Sequence, residues 1–576
     1  MSNSVQSLAV RHPGVSYALA STLFAITAIS PTPVFLPVVA LLACIRLSAF
    51  TFINRPDRFV HGAAQAFLVS VAGAATHLAP SLGALSTPST SLVILSSIML
   101  FTSSLAFGVV FATSYAVRSI HKPWAKLTLL PAVWASAWGF VSYVSPVGQL
   151  VTWSPVLGLG PYLWVRQVAG QWGIDWVAAA WAVVLSEIVG SWVVGHDDQE
   201  GLLVDTEPLL IDHGQIPTYH SIETTQRNSQ PQTKSKSSAG SRDLLILTTG
   251  LLLLILPSYG MPPYLPLPVN SPAASTLNVA CALPGPPQRG HGNPSLKDYM
   301  AETLKLQSFA DIILWPESAL RFNSPEERES AFEEIQAGLQ GKRYVGIGFE
   351  DHATSERADG QGKGYNVFAL IQNTGPPILE YYKRMLVPIA ESFSLSPGNG
   401  TPHIVDLTVG KHSIPVTASI CLDFASTTTF TGLDTRPAFI LAPAKTWHVG
   451  VGYAMWEQAK ARAAETGSTI IWCDGGKGGI SGIASGSYSE VVQVGSGSWS
   501  KKIAFEYPFD SHRTFYLQGG QITMFAIVWA ICGLGSFGEL TVGRFNGRWL
   551  LALARRGVNV VRLRYVKRAE ERPLLD

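Results

Sequence analysis

Three short stretches of this chain carry side chains that could attack a carbonyl: Trp315-Pro316-Glu317, Tyr382-Lys383-Arg384, and Ser419-Ile420-Cys421-Leu422-Asp423. A carboxylate, an ammonium and a thiol, each beside a strand-like apolar run, are the parts needed for acyl transfer through a thioester. Cys421 ends the run Ile414 to Ile420, so its thiol faces substrate beside backbone N–H groups that help hold an oxyanion. A free thiol titrates near about 8.5 and needs activation. Glu317, leaving the run Asp311 to Leu314, is placed to take its proton and return it to a leaving group. Lys383, after the run Ile378 to Tyr382, would stabilise the oxyanion and lower the thiol pKa. Taken singly, each has a plainer reading: a buried small hydrophobe, a surface acid, a solvated lysine.

What must position these residues is a membrane protein. Of 576 residues only 14% are charged and 47% are hydrophobic, against about 25% charged in soluble domains, and the mean hydropathy is +0.23. Eight apolar runs approach the length of a span, at about 14 to 30, 32 to 50, 62 to 79, 92 to 114, 127 to 146, 174 to 195, 243 to 260 and 520 to 538. The first two are parted only by Pro31-Thr32-Pro33, which leaves a re-entrant hairpin open as an alternative to two spans. The first run is read as retained, because no small-residue cleavage site follows it.

The net charge of +2 is uninformative, but its distribution is not. Arg55 and Arg58 follow the second span, Arg118, Lys122 and Lys126 the fourth, and Arg227, Lys234, Lys236 and Arg242 precede the seventh. A basic tail with Arg544, Arg548, Arg555 and Arg556 follows the eighth, and Arg166 is the one exception in the intervening loops. Positive-inside then sets both termini in the cytosol and the region 261–519 on the opposite face. With the basic residues so explained, no nucleic-acid patch remains.

The expected organisation is a bundle of six spans over 1–195, a polar disordered cytosolic loop over 196–242, a seventh span over 243–260, a catalytic domain over 261–519, an eighth span over 520–538 and a basic cytosolic tail over 539–576. The outer region reads as α/β. Strand-like runs recur at Leu277 to Cys281, Asp311 to Leu314, Tyr344 to Phe349, Asn366 to Ile371, Ile414 to Ile420, Phe439 to Leu441 and Thr469 to Trp472. Helical patterns cover Ser295 to Ser308, opened by a serine N-cap, and Tyr453 to Glu465, closed by Gly467.

The order and neighbours of Glu317, Lys383 and Cys421 resemble the Glu-Lys-Cys triad of the nitrilase (carbon–nitrogen hydrolase) superfamily. Between hydrophobic spans, the combination resembles the apolipoprotein N-acyltransferase family. The resemblance implies a four-layer αββα sandwich joined to a multi-span helical membrane domain. It singles out Glu391, in Val387-Pro388-Ile389-Ala390-Glu391, where the family usually has Val-Pro-Phe-Gly-Glu, as a second acid that positions the lysine. Loss of that glycine alters the turn chemistry. Arg462 and Glu465 resemble the family's Arg-Ala-x-Glu helix, and a spacing of three suits a structural ion pair better than catalysis. Two departures bear on the substrate rather than the reaction. Cys421-Leu422-Asp423 stands where the family usually has Cys-Tyr-Glu, and Ala444-Lys445-Thr446-Trp447-His448 replaces its Asn-Asp-x-Trp-Phe.

Other candidates fail on context. Gly475-Gly476-Lys477-Gly478-Gly479 lacks the phosphate-loop spacing and reads as a tight turn. His448 reads as a solvated histidine, since lysine and glutamate already supply activation. Cys44 and Cys532 lie within spans. For Cys281 and Cys473, inside strands, core packing is the default and a disulfide on an oxidising face the alternative. No spacing suggests a metal site, and no cofactor is expected. Asp205-Thr206-Glu207-Pro208-Leu209-Leu210 and Glu570-Glu571-Arg572-Pro573-Leu574-Leu575 resemble acidic dileucine signals; sorting adaptors reading them would imply a eukaryotic endosomal or vacuolar membrane rather than a bacterial inner membrane. The expected activity moves a fatty acyl chain from a phospholipid donor, through a thioester on Cys421, to the amine of a lipidated protein or another acceptor. The alternatives are a membrane-tethered amidase acting on a lipid or small amide, and a scaffold without catalysis.

Overall fold

The structure, a computed structural model, describes residues 11–52, 59–194, 238–260, 274–285, 293–352, 363–486 and 488–534. Arg55, Arg58, Arg227, Lys234, Lys236, both dileucine-like stretches and the basic tail lie outside the described residues, as does most of the loop 196–242.

Among the described residues, seven helices are long and apolar enough to cross a membrane, and an eighth, shorter apolar helix precedes them. They are α1 (Pro13–Ala28), α2 (Phe35–Phe52), α3 (Phe59–Leu82), α4 (Pro88–Ala116), α5 (Pro123–Val144), α6 (Val165–Val194), α7 (Ser238–Leu253) and, after the sheets, a last helix Phe515–Gly533. At 16 residues, α1 rises about 24 Å, somewhat less than a hydrocarbon core of about 30 Å. Leu23, Val93, Phe101 and Phe140 stay exposed on the outside of the bundle, as side chains solvated by lipid would. Inside, Arg46 of α2 pairs with Glu187 of α6 at 2.7 Å, so neither charge is left alone among apolar neighbours.

One span begins earlier than its hydropathy indicates. Arg166 and Gln171 leave 165–173 outside the expected span at 174 to 195, yet both, with Asp175, are buried within α6. Arg166 therefore answers to buried partners and not to the charge bias of the loops.

The rest of the chain forms two sheets packed face to face. The first runs β13-β1-β2-β4-β5-β6, with β3 also on β4; the second runs β12-β11-β10-β9-β8-β7. Their strands are β1 (Ala274–Cys281), β2 (Ile312–Leu314), β3 (Leu320–Phe322), β4 (Tyr344–Asp351), β5 (Tyr365–Ile371), β6 (Leu379–Tyr382), β7 (Val405–Val409), β8 (His412–Ala418), β9 (Phe439–Ala444), β10 (Thr469–Asp474), β11 (Ile480–Ala484), β12 (Ser489–Val494) and β13 (Trp499–Glu506). Alternation sorts the faces. In the first sheet Ile312, Leu314, Phe368 and Leu370 join the core shared with the second sheet, while Ile313, Val345, Val367 and Ala369 pack with helices α8 (Leu296–Leu306) and α9 (Pro325–Gly338). Helix α10 (Val449–Thr466) covers β10 and β11, and α11 is the last span, Phe515–Gly533. The domain is thus layered αββα.

Local signals explain the helix ends. Asp298 accepts from the backbone N–H of Ser295 at 2.7 Å, closing the start of α8. Gly467, at φ +68°, ends α10. His448 is not a free solvated histidine: it caps α10, its ring nitrogen accepting from Gly450 N at 3.0 Å. Cys281 and Cys473 are disulfide-bonded, which corrects the default of simple core packing. They sit on β1 and β10 of opposing sheets with Cα atoms 5.7 Å apart, a facing that strand periodicity alone cannot reveal.

The two-sheet domain rests on one end of the helix bundle. Trp447 donates to the carbonyl of Pro80 in α3 at 2.9 Å, and a Cβ on Gly148, in the loop after α5, would run into the carbonyl of Ala425. Gly148 and Gly160 share nearly the same left-handed φ, +55° and +51°, but nothing lies near Gly160. Both alanine variants should carry the strain of positive φ, about 1 kcal/mol. Gly148→Ala should lose about 1–3 kcal/mol more through overpacking against the turn. Thermal unfolding of the detergent-purified protein reads the difference; equal losses would contradict the docking.

Candidate active site

Each side chain of the predicted triad leaves the end of a strand, and the two sheets bring those ends together. Beyond β2, Trp315 is buried, donating to Thr303 Oγ1 at 2.9 Å and stacking on Tyr299. The chain then turns through Pro316, and Glu317 N meets the carbonyl of Ala444 at the end of β9 in the other sheet, at 3.4 Å. Lys383 directly follows β6 and is held by its N–H on Asn366 O at 2.9 Å. Cys421 begins a tight 3-10 turn, Cys421–Ala425, three residues past β8. Among the described residues, the non-glycine positions with positive φ are Ser318, Ile389 and Cys421. All three adjoin the predicted triad and Glu391, where sterically disfavoured backbone persists because the surroundings enforce it.

The charges form one cluster. Lys383 Nζ donates to Glu317 Oε1 at 2.6 Å and to both oxygens of Glu391 at 2.7 Å. Asn366 Nδ2 also donates to Glu317 Oε1, at 2.8 Å, and Val387 N to Glu391 Oε2, at 2.8 Å. Glu317 is 3% exposed, Lys383 1% and Cys421 6%. Burial by itself lowers the lysine pKa, but the carboxylates of Glu317 and Glu391 outweigh it and raise the pKa above the ordinary value. Glu391 is raised by burial, with Lys383 opposing and Glu317 adding.

The Cys421 thiol is pushed well above its usual value, by burial first and then by Glu317. Lys383 acts downward on it, as the sequence suggests, but does not prevail. With its pKa raised, the Cys421 thiol would need a base to take its proton before it could attack a carbonyl.

Asp423 explains how the turn is held. Its Oδ1 accepts from the backbone N–H groups of Arg384 at 3.1 Å and Met385 at 2.7 Å, and its Oδ2 from the Tyr381 hydroxyl at 2.8 Å. Asp423 thus clips the Lys383 segment to the Cys421 turn. Asp474 does the same for the loop after β9, accepting from Thr446 N at 3.0 Å and Thr446 Oγ1 at 2.7 Å. Burial raises the pKa of both aspartates, opposed by these hydrogen bonds. The loss of glycine before Glu391 proves less disruptive than its chemistry suggests. The left-handed residue of that turn is Ile389, at φ +68°, and not Ala390.

Arg462 and Glu465 lie outside the charge cluster but beneath the turn. Arg462 donates to Glu465 at 2.8 Å, to the carbonyl of Ser426 at 3.1 Å and to Gln149 Oε1 of the helical bundle at 3.1 Å. Arg166 of α6 lies 3.7 Å from the same Glu465 oxygen and donates to Gln171 at 2.7 Å, which in turn donates to Asp175 at 3.1 Å. The pair is structural, as its spacing indicates, and it continues into a span. Asn366, Asp423, Asp474 and Gln149 have no motif of their own; only the chemical oddity of a buried-segment Asp after Cys421-Leu422 hints at one of them. No group of three His, Cys, Asp or Glu among the described residues could hold a metal ion.

The chain matches no family model and no curated protein. Similar solved structures include a glutamine-dependent NAD+ synthetase from Acinetobacter baumannii, at 15% identity and a TM-score of 0.31 over 42% of this chain and 49% of the synthetase. The chain thus spans about half the length of that protein. They also include an amidase from Nesterenkonia sp. AN1 with covalent addition at its active-site cysteine, at 15% identity, a TM-score of 0.32, 44% of this chain and 96% of the amidase. A further variant of that amidase, from the nitrilase superfamily, matches at 14% identity, a TM-score of 0.33, 45% of this chain and 99% of its own. These similarities, low in identity and confined to part of the chain, do not by themselves assign a family.

The cluster predicts how Cys421 alkylates. Because burial and the carboxylates of Glu317, Glu391 and Asp474 raise its pKa, its rate with iodoacetamide in the folded protein should climb with pH through and beyond the ordinary thiol range. Glu391→Gln removes a charge that raises that pKa, so the profile should move to lower pH; Lys383→Met removes the charge that lowers it and should move the profile up. A profile indifferent to both substitutions would show that the thiol does not sense the cluster.

Proposed function

We propose that the chain is a membrane acyltransferase of the apolipoprotein N-acyltransferase kind, with Glu317, Lys383 and Cys421 as its catalytic residues and Glu391, Arg462 and Glu465 in support. The observation that carries this reading is where the nucleophile turn sits. It is pressed onto the membrane domain, with Gly148 under Ala425 and Arg462 bridging Ser426 to Gln149. A hydrolase of small soluble amides has no use for a thiol at the end of a helix bundle; an enzyme whose donor arrives laterally from a bilayer does.

In the proposed first half-reaction Glu317 takes the thiol proton. Lys383 and Asn366 both donate to Oε1, which assigns the proton to Oε2. The thiolate attacks the phospholipid ester carbonyl, a C–S bond forms, and Lys383 balances the oxyanion. Collapse breaks the C–O bond, Glu317 returns the proton to the leaving oxygen, and a lysophospholipid departs. In the second half-reaction an amine attacks the thioester, yields its proton to Glu317 and leaves as an amide; the C–S bond breaks and the thiol is restored. Near-complete burial of the triad supports a thioester kept from water until the acceptor arrives.

The proposed placement is a multi-pass membrane protein with the catalytic domain on the non-cytosolic face. The bias of Arg and Lys supports it, and so does the Cys281–Cys473 disulfide, since such bonds persist where thiols are not kept reduced. This holds for a bacterial inner membrane or a eukaryotic endomembrane.

The test supplies phospholipid together with a lipidated peptide bearing a free N-terminal amine. Lysophospholipid and an N-acylated peptide should form in equal amounts, and Cys421→Ala, Glu317→Gln and Lys383→Met should each slow the reaction at least about a hundredfold. Double variants should cost little more than single ones, because the three act as a unit. Free fatty acid in place of acyl peptide, or hydrolysis of a small amide by Cys421 alone, would replace this reading with the amidase.

A further inference from the structure

Arg384 follows the lysine directly, but its side chain takes no part in the charge cluster. Its Nη1 is buried and has no hydrogen-bond partner among the described residues. That nitrogen is itself closed to solvent, but Arg384 as a whole is only half-buried, so its charge is offered to what lies beside it. It lines an open groove with Lys363, Met385, Leu386, Leu395 and Pro146. Lys363 spends one of its three donors on the carbonyl of Ser392, at 3.0 Å, leaving its charge over the same groove. Asp423 and Glu391, the nearby acids, are committed elsewhere: Asp423 to backbone N–H groups and Tyr381, Glu391 to Lys383 and Val387.

The groove's position narrows the ligand. Pro146 lies just past the end of α5 at Val144, so the groove opens where a span leaves the hydrocarbon and headgroups begin. Tyr143 and Phe140, at that end of α5, are exposed as side chains of an interfacial aromatic belt are. The backbone of Arg384 is tied by Asp423 to the turn that bears Cys421. Two cations, apolar flanks from Met385, Leu386 and Leu395, and this height together suit a phosphodiester attached to acyl chains. Arg is the side chain best shaped for such an anion.

We propose that this groove binds the phosphodiester of a glycerophospholipid, with Arg384 as its main donor and Lys363 as a second cation. The proposal deepens the acyltransferase reading, on which the identity of the lipid as donor rests. It makes Arg384 a specificity residue, selecting donors that carry a phosphate over neutral diacyl lipids.

Binding is tested apart from chemistry, in full-length Cys421→Ala protein in detergent, by native mass spectrometry with dioleoyl phosphatidylglycerol and dioleoylglycerol as probes. The phospholipid should be retained in preference. Arg384→Gln should weaken its retention about tenfold or more, the scale of a charge-assisted hydrogen bond, while dioleoylglycerol retention stays the same. Lys363→Gln, at an exposed side chain that folding does not depend on, should act in the same direction more weakly, and Arg384→Lys should recover part of the loss. Equal loss of both lipids, or unchanged phospholipid retention in Arg384→Gln and Lys363→Gln, would overturn the proposal. So would Arg384-dependent binding of inorganic phosphate without binding of the phospholipid. Phospholipid held through Arg384 that never acylates Cys421 in the unsubstituted protein would uphold the site and sink the acyltransferase reading. Acylation of Cys421 indifferent to Arg384→Gln would do the reverse.

Discussion

The arrangement depends on one ammonium. Lys383 is buried with two carboxylates within 2.7 Å of its nitrogen, and the thiol of Cys421 senses all three charges. Removing an ion from water costs several kcal/mol even in a relaxed protein. Two carboxylates beside a thiol would be untenable without a cation between them. Much of the surrounding structure serves to keep that cation in place: β5 supplies Asn366 to Glu317, the turn after Lys383 supplies Val387 to Glu391, and Asp423 ties the lysine segment to the nucleophile turn. The left-handed backbone at Ser318, Ile389 and Cys421 is part of the same constraint.

The constraint does not stop at the catalytic domain. Below the nucleophile turn, Arg462, Glu465, Gln149, Arg166, Gln171 and Asp175 form a second buried polar chain that passes from α10 into α6. Buried polar groups of this kind are satisfied by one another or not at all, so the carbonyl of Ser426 is tied through Arg462 to the helix bundle. The helices of the bundle are in this sense part of the floor beneath Cys421 rather than a tether.

The parts of the site legible in the sequence are those whose signal is local. Glu317, Lys383 and Cys421 each follow an apolar strand run with recognisable neighbours, and Arg462 and Glu465 share a helix face by spacing alone. The apolar helices were legible from hydropathy except where α6 begins, because Arg166 and Gln171 look like loop when their partners are unknown. What could not be read depends on which strand faces which. Asn366 becomes a partner of Glu317 only through the pairing of β4 and β5, Cys281 meets Cys473 only across two sheets, and Asp423 looks like a shortened acid until its backbone partners appear. β11, β12 and β13 are short or flanked by Gly and Ser, and their alternation is too weak to announce strands that only their neighbours order.

The central claim is that Cys421, activated by Glu317 and balanced by Lys383, carries an acyl group drawn from membrane lipid. The most direct measurement is the intact mass of the detergent-purified protein after incubation with phospholipid and no amine. The account predicts one fatty-acyl increment, mapped to Cys421, released by hydroxylamine and missing from Cys421→Ala. An unmodified Cys421 in folded protein that still consumes phospholipid, or an increment that survives in Cys421→Ala, would contradict it.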